Sequence, residues 1–174
     1  MIKMFSTQLQ GVFQKIQQEE EALEDGARLL AQAVKGSGTL YTTATPKAAG
    51  IEAAARCAAD APAGCTPFPD DNNKDFSPMD RVLIFSAAGE KEALTELLEQ
   101  AAASFVPAVV IGPEAVDVAS AEGVEAPIHI PTYATDGLVP DLDGSRFGDG
   151  TTLAGLYAFQ LLALFIQDML EDAE

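Results

Sequence analysis

Residues 42–48 and 86–91 are the parts of this chain whose residue types could bind an anion. The second segment reads Ser-Ala-Ala-Gly-Glu-Lys and directly follows a short apolar run. Gly89 would let the backbone approach a ligand closely, and the free N–H groups at the start of a helix attract negative charge. Lys47 and Lys91 could add positive charge, although each could equally be an ordinary solvated helix residue. The two segments together predict an anion-binding site.

Acid–base and metal chemistry have few candidate residues. His129 is the only histidine, and it lies between Ile128 and Ile130 in a segment that reads as a strand. A histidine in that setting is more often a hydrogen-bonded structural residue than a catalyst. Cys57, Cys65 and His129 are too few and too scattered for a tetrahedral zinc site. Since the sequence also lacks a Walker phosphate loop and a dinucleotide glycine fingerprint, we expect no metal and no cofactor.

Two weaker patterns have simpler explanations. Residues 141–145 (DLDGS) hint at a calcium loop, but the glycine comes early and the closing glutamate is missing. Turn chemistry explains these residues adequately. Ser86 and His129 have the residue types of a Ser–His–Asp set, but the sequence lacks the nucleophile-elbow pattern.

Alternating strands and helices would position residues 42–48 and 86–91. Apolar or β-branched runs predict strands at residues 39–45, 81–85, 108–111 and 127–131, with a short strand near residues 65–68. Composition and helical spacing predict helices at residues 47–59 and 90–105, and a loop at residues 62–78. This order predicts an α/β fold, a three-layer αβα sandwich with a mostly parallel, flavodoxin-like sheet. Ligands bind such sheets at the carboxyl ends of the strands, where both segments fall.

Helical segments precede and follow this core. Helical spacing starts near residue 2, and polar residues 17–21 split it, so we expect two helices or one long helix with a polar middle. Residues 136–150 read as an Asp/Gly loop, in which Asp149 could cap the long apolar helix predicted at residues 151–170. We expect one domain over residues 1–174, with a helical segment (1–36), an α/β core (37–150) and a terminal helix (151–174).

Composition limits the partners and the compartment. The chain has 174 residues, enough to bury a core without disulfides, and a formal net charge of −17. That charge argues against nucleic acid and against an anionic membrane surface as partners. The apolar stretch at residues 153–166 is shorter than the roughly 20 residues that span a bilayer. Because no secretory signal is recognisable, we expect a cytoplasmic protein with both cysteines free.

Residues 80–89 (DRVLIFSAAG), the helix after them and residues 108–112 (AVVIG) resemble the phosphosugar-binding unit of the sugar isomerase (SIS) family. That unit has an apolar strand, a Ser-x-Ser-Gly-x-Ser/Thr turn, a helix and a strand that ends in a small residue. Residues 38–48 resemble the family's first glycine- and serine-containing loop. Within the family, the resemblance points to phosphoheptose isomerases or to an uncharacterised bacterial SIS-like branch. It implies an SIS-type sheet, a phosphorylated sugar as ligand, and a dimer or tetramer.

The resemblance also implies a set of ligand-binding residues from both turns. The set is Thr43, Thr45, Lys47, Ser86, Ala88, Gly89, Glu90 and Lys91. Ala88 and Lys91 stand where the family has hydroxyl donors to phosphate. The two lysines would then replace the lost hydroxyls with positive charge.

Isomerase chemistry would need a base beside a carbonyl carbon and an acid for the oxygen. Phosphoheptose isomerases use a glutamate on the helix after the first loop and a histidine on the last helix. Here the first position falls near Cys57, and the last helix contains no histidine. The remaining candidates are Glu52, which lies five residues earlier and should face elsewhere, and His129.

Three functions follow from these residues. The favoured one is an SIS-like protein that binds a phosphorylated sugar or a similar small anion, with altered or lost isomerase chemistry. One alternative is an active phosphoheptose-type aldose–ketose isomerase, and another is a non-catalytic oligomerising or regulatory module. Apolar residues wrap more than one face of the terminal helix, which favours a homodimer or a higher homo-oligomer. The alternative is that the N-terminal helices cover this surface.

Overall fold

The computed structural model describes residues 1–69, 75–118, 125–135 and 137–172. The helices are α1 (Ile2–Gln17), α2 (Glu20–Lys35), α3 (Ala49–Arg56), α4 (Lys91–Ala103) and α5 (Thr151–Glu171). The strands are β1 (Leu40–Ala44), β2 (Thr66–Pro67), β3 (Arg81–Phe85), β4 (Ala108–Gly112), β5 (Ile128–Pro131), β6 (Val139–Pro140) and β7 (Arg146–Phe147). One turn of 3-10 helix, Pro46–Ala48, precedes α3, so the helix predicted at residues 47–59 is shorter than expected.

Five parallel strands form the main sheet, in the order β2-β1-β3-β4-β5. The register places Thr42 of β1 opposite Leu83 of β3, and Val110 of β4 opposite His129 of β5. Helices lie on both faces of this sheet, and among the described residues α4 is the helix on one of them. The predicted three-layer α/β fold with a mostly parallel sheet is therefore confirmed.

Strand β3 lies at the centre of the sheet and is buried on both faces. Leu83 and Phe85 pack with residues of α2, α3 and α5, whereas Val82 and Ile84 pack with residues of α4. All five residues of this strand are buried. A continuous apolar run is typical of a strand covered on both faces, which explains why the sequence located β3 correctly.

The terminal helix α5 is covered on one side by the rest of the chain. The ring of Phe13 in α1 stacks on Tyr157 of α5 with ring centroids 4.2 Å apart, and Ala158 and Leu162 are fully buried. The N-terminal helices thus cover part of the apolar surface that could have been assigned to a partner subunit. By length and composition alone, the 21 residues of α5 could cross a membrane, because the helix extends beyond the apolar stretch at residues 153–166. Its buried face is that of a core helix.

The segment predicted as an Asp/Gly loop contains a short hairpin. Strands β6 and β7 pair antiparallel, and the backbone N–H of Asp141 donates to the carbonyl of Ser145 at 2.8 Å. The carboxylate of Asp143 accepts hydrogen bonds from Ser145, so turn chemistry accounts for residues 141–145. The N-cap of α5 is Gly150, and the residue before it, Asp149, accepts a hydrogen bond from the N–H of Thr151 at 2.8 Å. Asp136, residues 70–74 of the predicted loop and residues 173–174 lie outside the described residues.

Candidate functional site

The two turns predicted to bind an anion lie side by side at the carboxyl ends of β1 and β3. The N–H of Thr45 donates to the carbonyl of Phe85 at 2.9 Å, and the N–H of Ala87 donates to Thr45 Oγ1 at 3.2 Å. Thr45 is fully buried, so its hydroxyl connects the two turns. We call the region where these turns meet the end of β4 the crevice.

Carboxylates of the chain itself bind the outward N–H groups of both turns. The N–H of Lys47 lies 3.1 and 3.2 Å from the two carboxylate oxygens of Glu90. The N–H of Gly89 lies 3.3 Å from Glu114 Oε2. A carboxylate is an oxyanion, so both N–H groups already have the kind of partner that a phosphate would be. Glu90 belongs to the predicted ligand-binding set, whereas here its side chain takes the place of the anion.

Two lysines accompany these carboxylates. Lys47 and Lys91 are both exposed, and Lys47 Nζ lies 3.9 Å from the position that a Cβ atom on Gly89 would occupy. Gly89 has a φ of 76°, in the left-handed region that glycine adopts without strain. The formal charges of these two lysines and of Glu90 and Glu114 cancel.

Ser86 is the buried residue of the crevice beside β4. It is 4% exposed, and its Oγ atom has no hydrogen-bond partner among the described residues. A Cβ atom on Gly112 would lie 1.8 Å from this Oγ, so glycine is needed there. The hydroxyl is therefore enclosed against β4, and its contact with a ligand would require rotation about χ1.

The other predicted binding residues lie at the same edge of the sheet. Thr43, which is opposite Ile84 on β3, and Ala88, in the second turn, are half-buried. The structure therefore brings the whole predicted set to one place. Whether this set binds a ligand stays a prediction.

Glu52 has structural partners. Its Oε1 accepts hydrogen bonds from Thr42 Oγ1 at 2.5 Å and from Arg56 Nε at 3.0 Å, and its side chain is 13% exposed. The carboxylate thus contacts Thr42, the first residue of the first predicted segment, which lies within β1. Both cysteines are free, and burial, followed by the charge of Glu52, raises the pKa of Cys65 to about 11.

His129 is bound to the backbone at the end of β4. Its Nε2 lies 2.9 Å from the carbonyl oxygen of Gly112, and a carbonyl only accepts, so this nitrogen carries the hydrogen. Burial lowers the pKa of His129, and the contacts with Gly112 and the charge of Glu19 partly offset this effect. Because Nε2 is a donor to Gly112, it cannot accept a proton from Ser86, although both side chains contact this glycine.

Sequence reasoning missed Glu114 as part of the crevice. Glu114 follows Gly112-Pro113 directly after the buried strand β4, and the carboxyl ends of parallel strands share one edge. That topological rule, applied to β4 as well as to β1 and β3, would have found it.

Two solved structures share this fold. One is a putative phosphosugar isomerase involved in capsule formation from Bacteroides fragilis NCTC 9343, 18% identical, with a TM-score of 0.60 over 93% of this chain and 89% of that one. The other is the hypothetical protein MJ1247 from Methanococcus jannaschii, whose structure was interpreted as a 3-hexulose-6-phosphate isomerase. It is 13% identical, with a TM-score of 0.58 over 99% of this chain and 90% of that one. The fold is thus that of SIS-type phosphosugar isomerases.

A curated relative matches over almost the full length of both chains. It is the uncharacterized protein YwjG of Bacillus subtilis (strain 168), 34% identical over 177 residues, which covers 99% of each chain. Residues 1–170 also match the family described as Domain of unknown function (DUF2529). The fold of this chain is the SIS-type phosphosugar isomerase fold. By sequence, the chain belongs to the DUF2529 family.

Proposed function

We propose that this chain is an SIS-type domain that binds a phosphorylated sugar or a similar small anion in the crevice, with lost or altered isomerase chemistry. One observation carries the proposal. The N–H groups of Lys47 and Gly89, one from each turn, hold carboxylate oxygens of Glu90 and Glu114. N–H groups that donate to carboxylates from two neighbouring turns are suited to donate to the oxygens of a phosphate group.

A ligand phosphate would have to displace both carboxylates. A phosphate group carries a charge of about −1.5 to −2 near neutral pH, so it gains more than a carboxylate from Lys47 and Lys91 nearby. The displaced carboxylates of Glu90 and Glu114 would still repel it, and the whole chain has a net charge of −17. The proposal therefore predicts weak binding by the natural chain and tighter binding when either carboxylate is neutralised.

The loss of isomerase chemistry rests on the two catalytic candidates. Glu52 is held by Thr42 and Arg56, and His129 donates to the carbonyl of Gly112. A base has to reach the carbon-bound hydrogen of the sugar within hydrogen-bond distance, directly or through water. Because both side chains are held by these partners, neither is placed to remove a carbon-bound hydrogen from the sugar.

Thermal-shift titration tests the binding. The ligands are fructose 6-phosphate, sedoheptulose 7-phosphate and inorganic phosphate, with fructose as the unphosphorylated control. A ligand at 100 times its Kd stabilises by about 2.7 kcal/mol, which raises the Tm of a chain of this size by roughly 5–10 °C. We expect Glu90→Gln and Glu114→Gln to lower the Kd for the phosphorylated ligands several-fold. The matched control is Glu99→Gln, which neutralises an exposed carboxylate on α4.

Two outcomes would contradict the proposal. If no phosphorylated ligand shifts the Tm of the natural chain or of either crevice variant, the crevice is not an anion site. If the natural chain interconverts aldose and ketose phosphates in a coupled assay, and Glu52→Gln or His129→Gln abolishes the turnover, the active isomerase is the correct reading.

A further inference from the structure

A second cavity lies at the amino-terminal end of the main sheet, opposite the crevice. Its volume is about 450 Å³, within the usual range of ligand pockets, which is about 300–1,000 Å³. The walls include Gln32 of α2, Phe76 and Ser77 before β3, Arg81 at the start of β3, Phe105 after α4 and Glu125 before β5. We call it the basal cavity.

Arg81 is a buried cation held by neutral oxygen atoms. It is 7% exposed, and its Nη1 donates to the carbonyls of Pro78 at 2.9 Å and Asp80 at 2.6 Å. Its Nη2 donates to Gln32 Oε1 at 2.5 Å, and its Nε has no hydrogen-bond partner. None of the ion pairs within 4.0 Å in the described part of the chain includes this guanidinium. Burying a charge without a counterion is costly, so Arg81 lacks an anionic partner.

The neighbouring carboxylates do not fill this role. Asp80 is 3% exposed, and its two oxygens accept the N–H groups of Thr39 at 2.7 Å and Ser77 at 2.8 Å. Glu125, exposed at the edge of the cavity, and Asp80 both raise the pKa of Arg81 against the larger lowering effect of burial, but neither forms an ion pair with it within 4.0 Å. Arginine stays protonated in proteins despite such shifts, so the positive charge remains.

We propose that the basal cavity binds the carboxylate of a small organic acid, with Arg81 as its cationic anchor. A guanidinium binds a planar carboxylate through two parallel N–H donors. Nε of Arg81 is an unused donor but has almost no accessible surface, so the guanidinium would have to turn toward the cavity to bind a ligand through it. One cation in the cavity, with Glu125 at the edge, favours a monoanion over a phosphate dianion. The rings of Phe76 and Phe105 line the same space, so the acid should have an apolar body. The site is independent of the crevice and of the function proposed for it.

Titration with 3-phenylpropionate tests this site directly. The controls are 3-phenylpropanol, which keeps the ring and replaces the carboxylate with an uncharged group, and phenyl phosphate, a dianion. Binding is followed by calorimetry and by the Nε–H resonances of the four arginines in ¹H–¹⁵N spectra. Arg81→Lys identifies the resonance of Arg81 and keeps the charge, and Arg146→Lys, on the hairpin, is the matched control.

We expect saturable binding of 3-phenylpropionate with a shift of the Arg81 Nε–H resonance, and weaker binding of both controls. Arg81→Lys should weaken binding roughly tenfold, because lysine lacks the bidentate fork, whereas Arg146→Lys should leave it unchanged. The proposal is wrong if 3-phenylpropionate does not shift the Arg81 resonance, or if 3-phenylpropanol or phenyl phosphate binds as tightly. The comparison of ligands on the natural chain decides the question even if Arg81→Lys does not fold.

Discussion

Substituting Ser86 by alanine should stabilise this protein, although Ser86 belongs to the candidate site. Its Oγ is buried and has no hydrogen-bond partner among the described residues. A buried hydroxyl without a partner costs about 1–3 kcal/mol of desolvation free energy. The small void left by one oxygen atom offsets a part of this gain. We therefore expect Ser86→Ala to raise the free energy of unfolding by about 1 kcal/mol.

Thr45→Val is the matched variant, because Thr45 is equally buried but its hydroxyl has a partner. Thr45 Oγ1 accepts the N–H of Ala87 at 3.2 Å, and Ala87 is itself 5% exposed. Valine keeps the shape of the side chain and leaves this N–H without an acceptor. A buried unpaired N–H costs about 1–3 kcal/mol, so Thr45→Val should lower the free energy of unfolding by that amount.

Urea unfolding of the natural chain and both variants measures the difference. The two variants should differ by about 2–4 kcal/mol, with unchanged m-values, because neither substitution alters the surface exposed on unfolding. The reasoning fails if Ser86→Ala destabilises the protein as much as Thr45→Val does, since the hydroxyl of Ser86 would then have a partner. Stabilisation on removal of Ser86 would indicate a residue retained at a cost to stability, as is common in binding sites.

Three further predictions concern residues other than Ser86 and Thr45. Burial lowers the pKa of His129 below the unfolded value of 6.5, so the free energy of unfolding should fall as the pH drops from 6.5 through the folded pKa. His129→Gln should reduce this loss, which is measured as the Tm against pH. Cys65, with a pKa of about 11, should react very slowly with iodoacetamide at pH 8, measured in a Cys57→Ser background. Because the charge of Glu52 raises this pKa, Glu52→Gln should speed the reaction. Phe105 has a φ of 56°, which glycine adopts without strain, and its side chain is 66% exposed. Phe105→Gly should therefore raise the free energy of unfolding, measured by urea titration, by about 1 kcal/mol. A decrease would show that the packing of the Phe105 side chain outweighs the backbone strain.

The fold could be predicted where one signal dominates the local sequence. The run at residues 81–85 has only apolar residues after Arg81, and burial on both faces follows from that composition. The hairpin within residues 136–150 was missed, because β6 and β7 have only two residues each and carry no periodicity. The end of α3 at Arg56 was also placed too late, since an alanine-rich segment gives no clear stop signal.

The contents of the crevice could be predicted only in part. Sheet topology brought the two turns together as expected, because both follow parallel strands. The carboxylate of Glu90 reaches the N–H of Lys47, 43 residues earlier in the chain, and that of Glu114 reaches Gly89. These contacts depend on the reach and rotamers of long side chains between loops, for which spacing along the sequence has no signal.

The two unpartnered polar atoms lie at opposite ends of the central strand, one at the crevice and one at the basal cavity. Among the buried side-chain nitrogen and oxygen atoms of the described residues, only Arg81 Nε and Ser86 Oγ lack a hydrogen-bond partner. Arg81 begins β3 and Ser86 follows its last residue, so one atom lies at each end of the strand that is buried on both faces. Apolar residues at both positions would avoid the desolvation cost, because the backbone of β3 is paired on both sides in either case. The cost is explained if each group meets a ligand, an oxyanion at the crevice and a carboxylate at the basal cavity, and the two sites should then bind independently in the same chain.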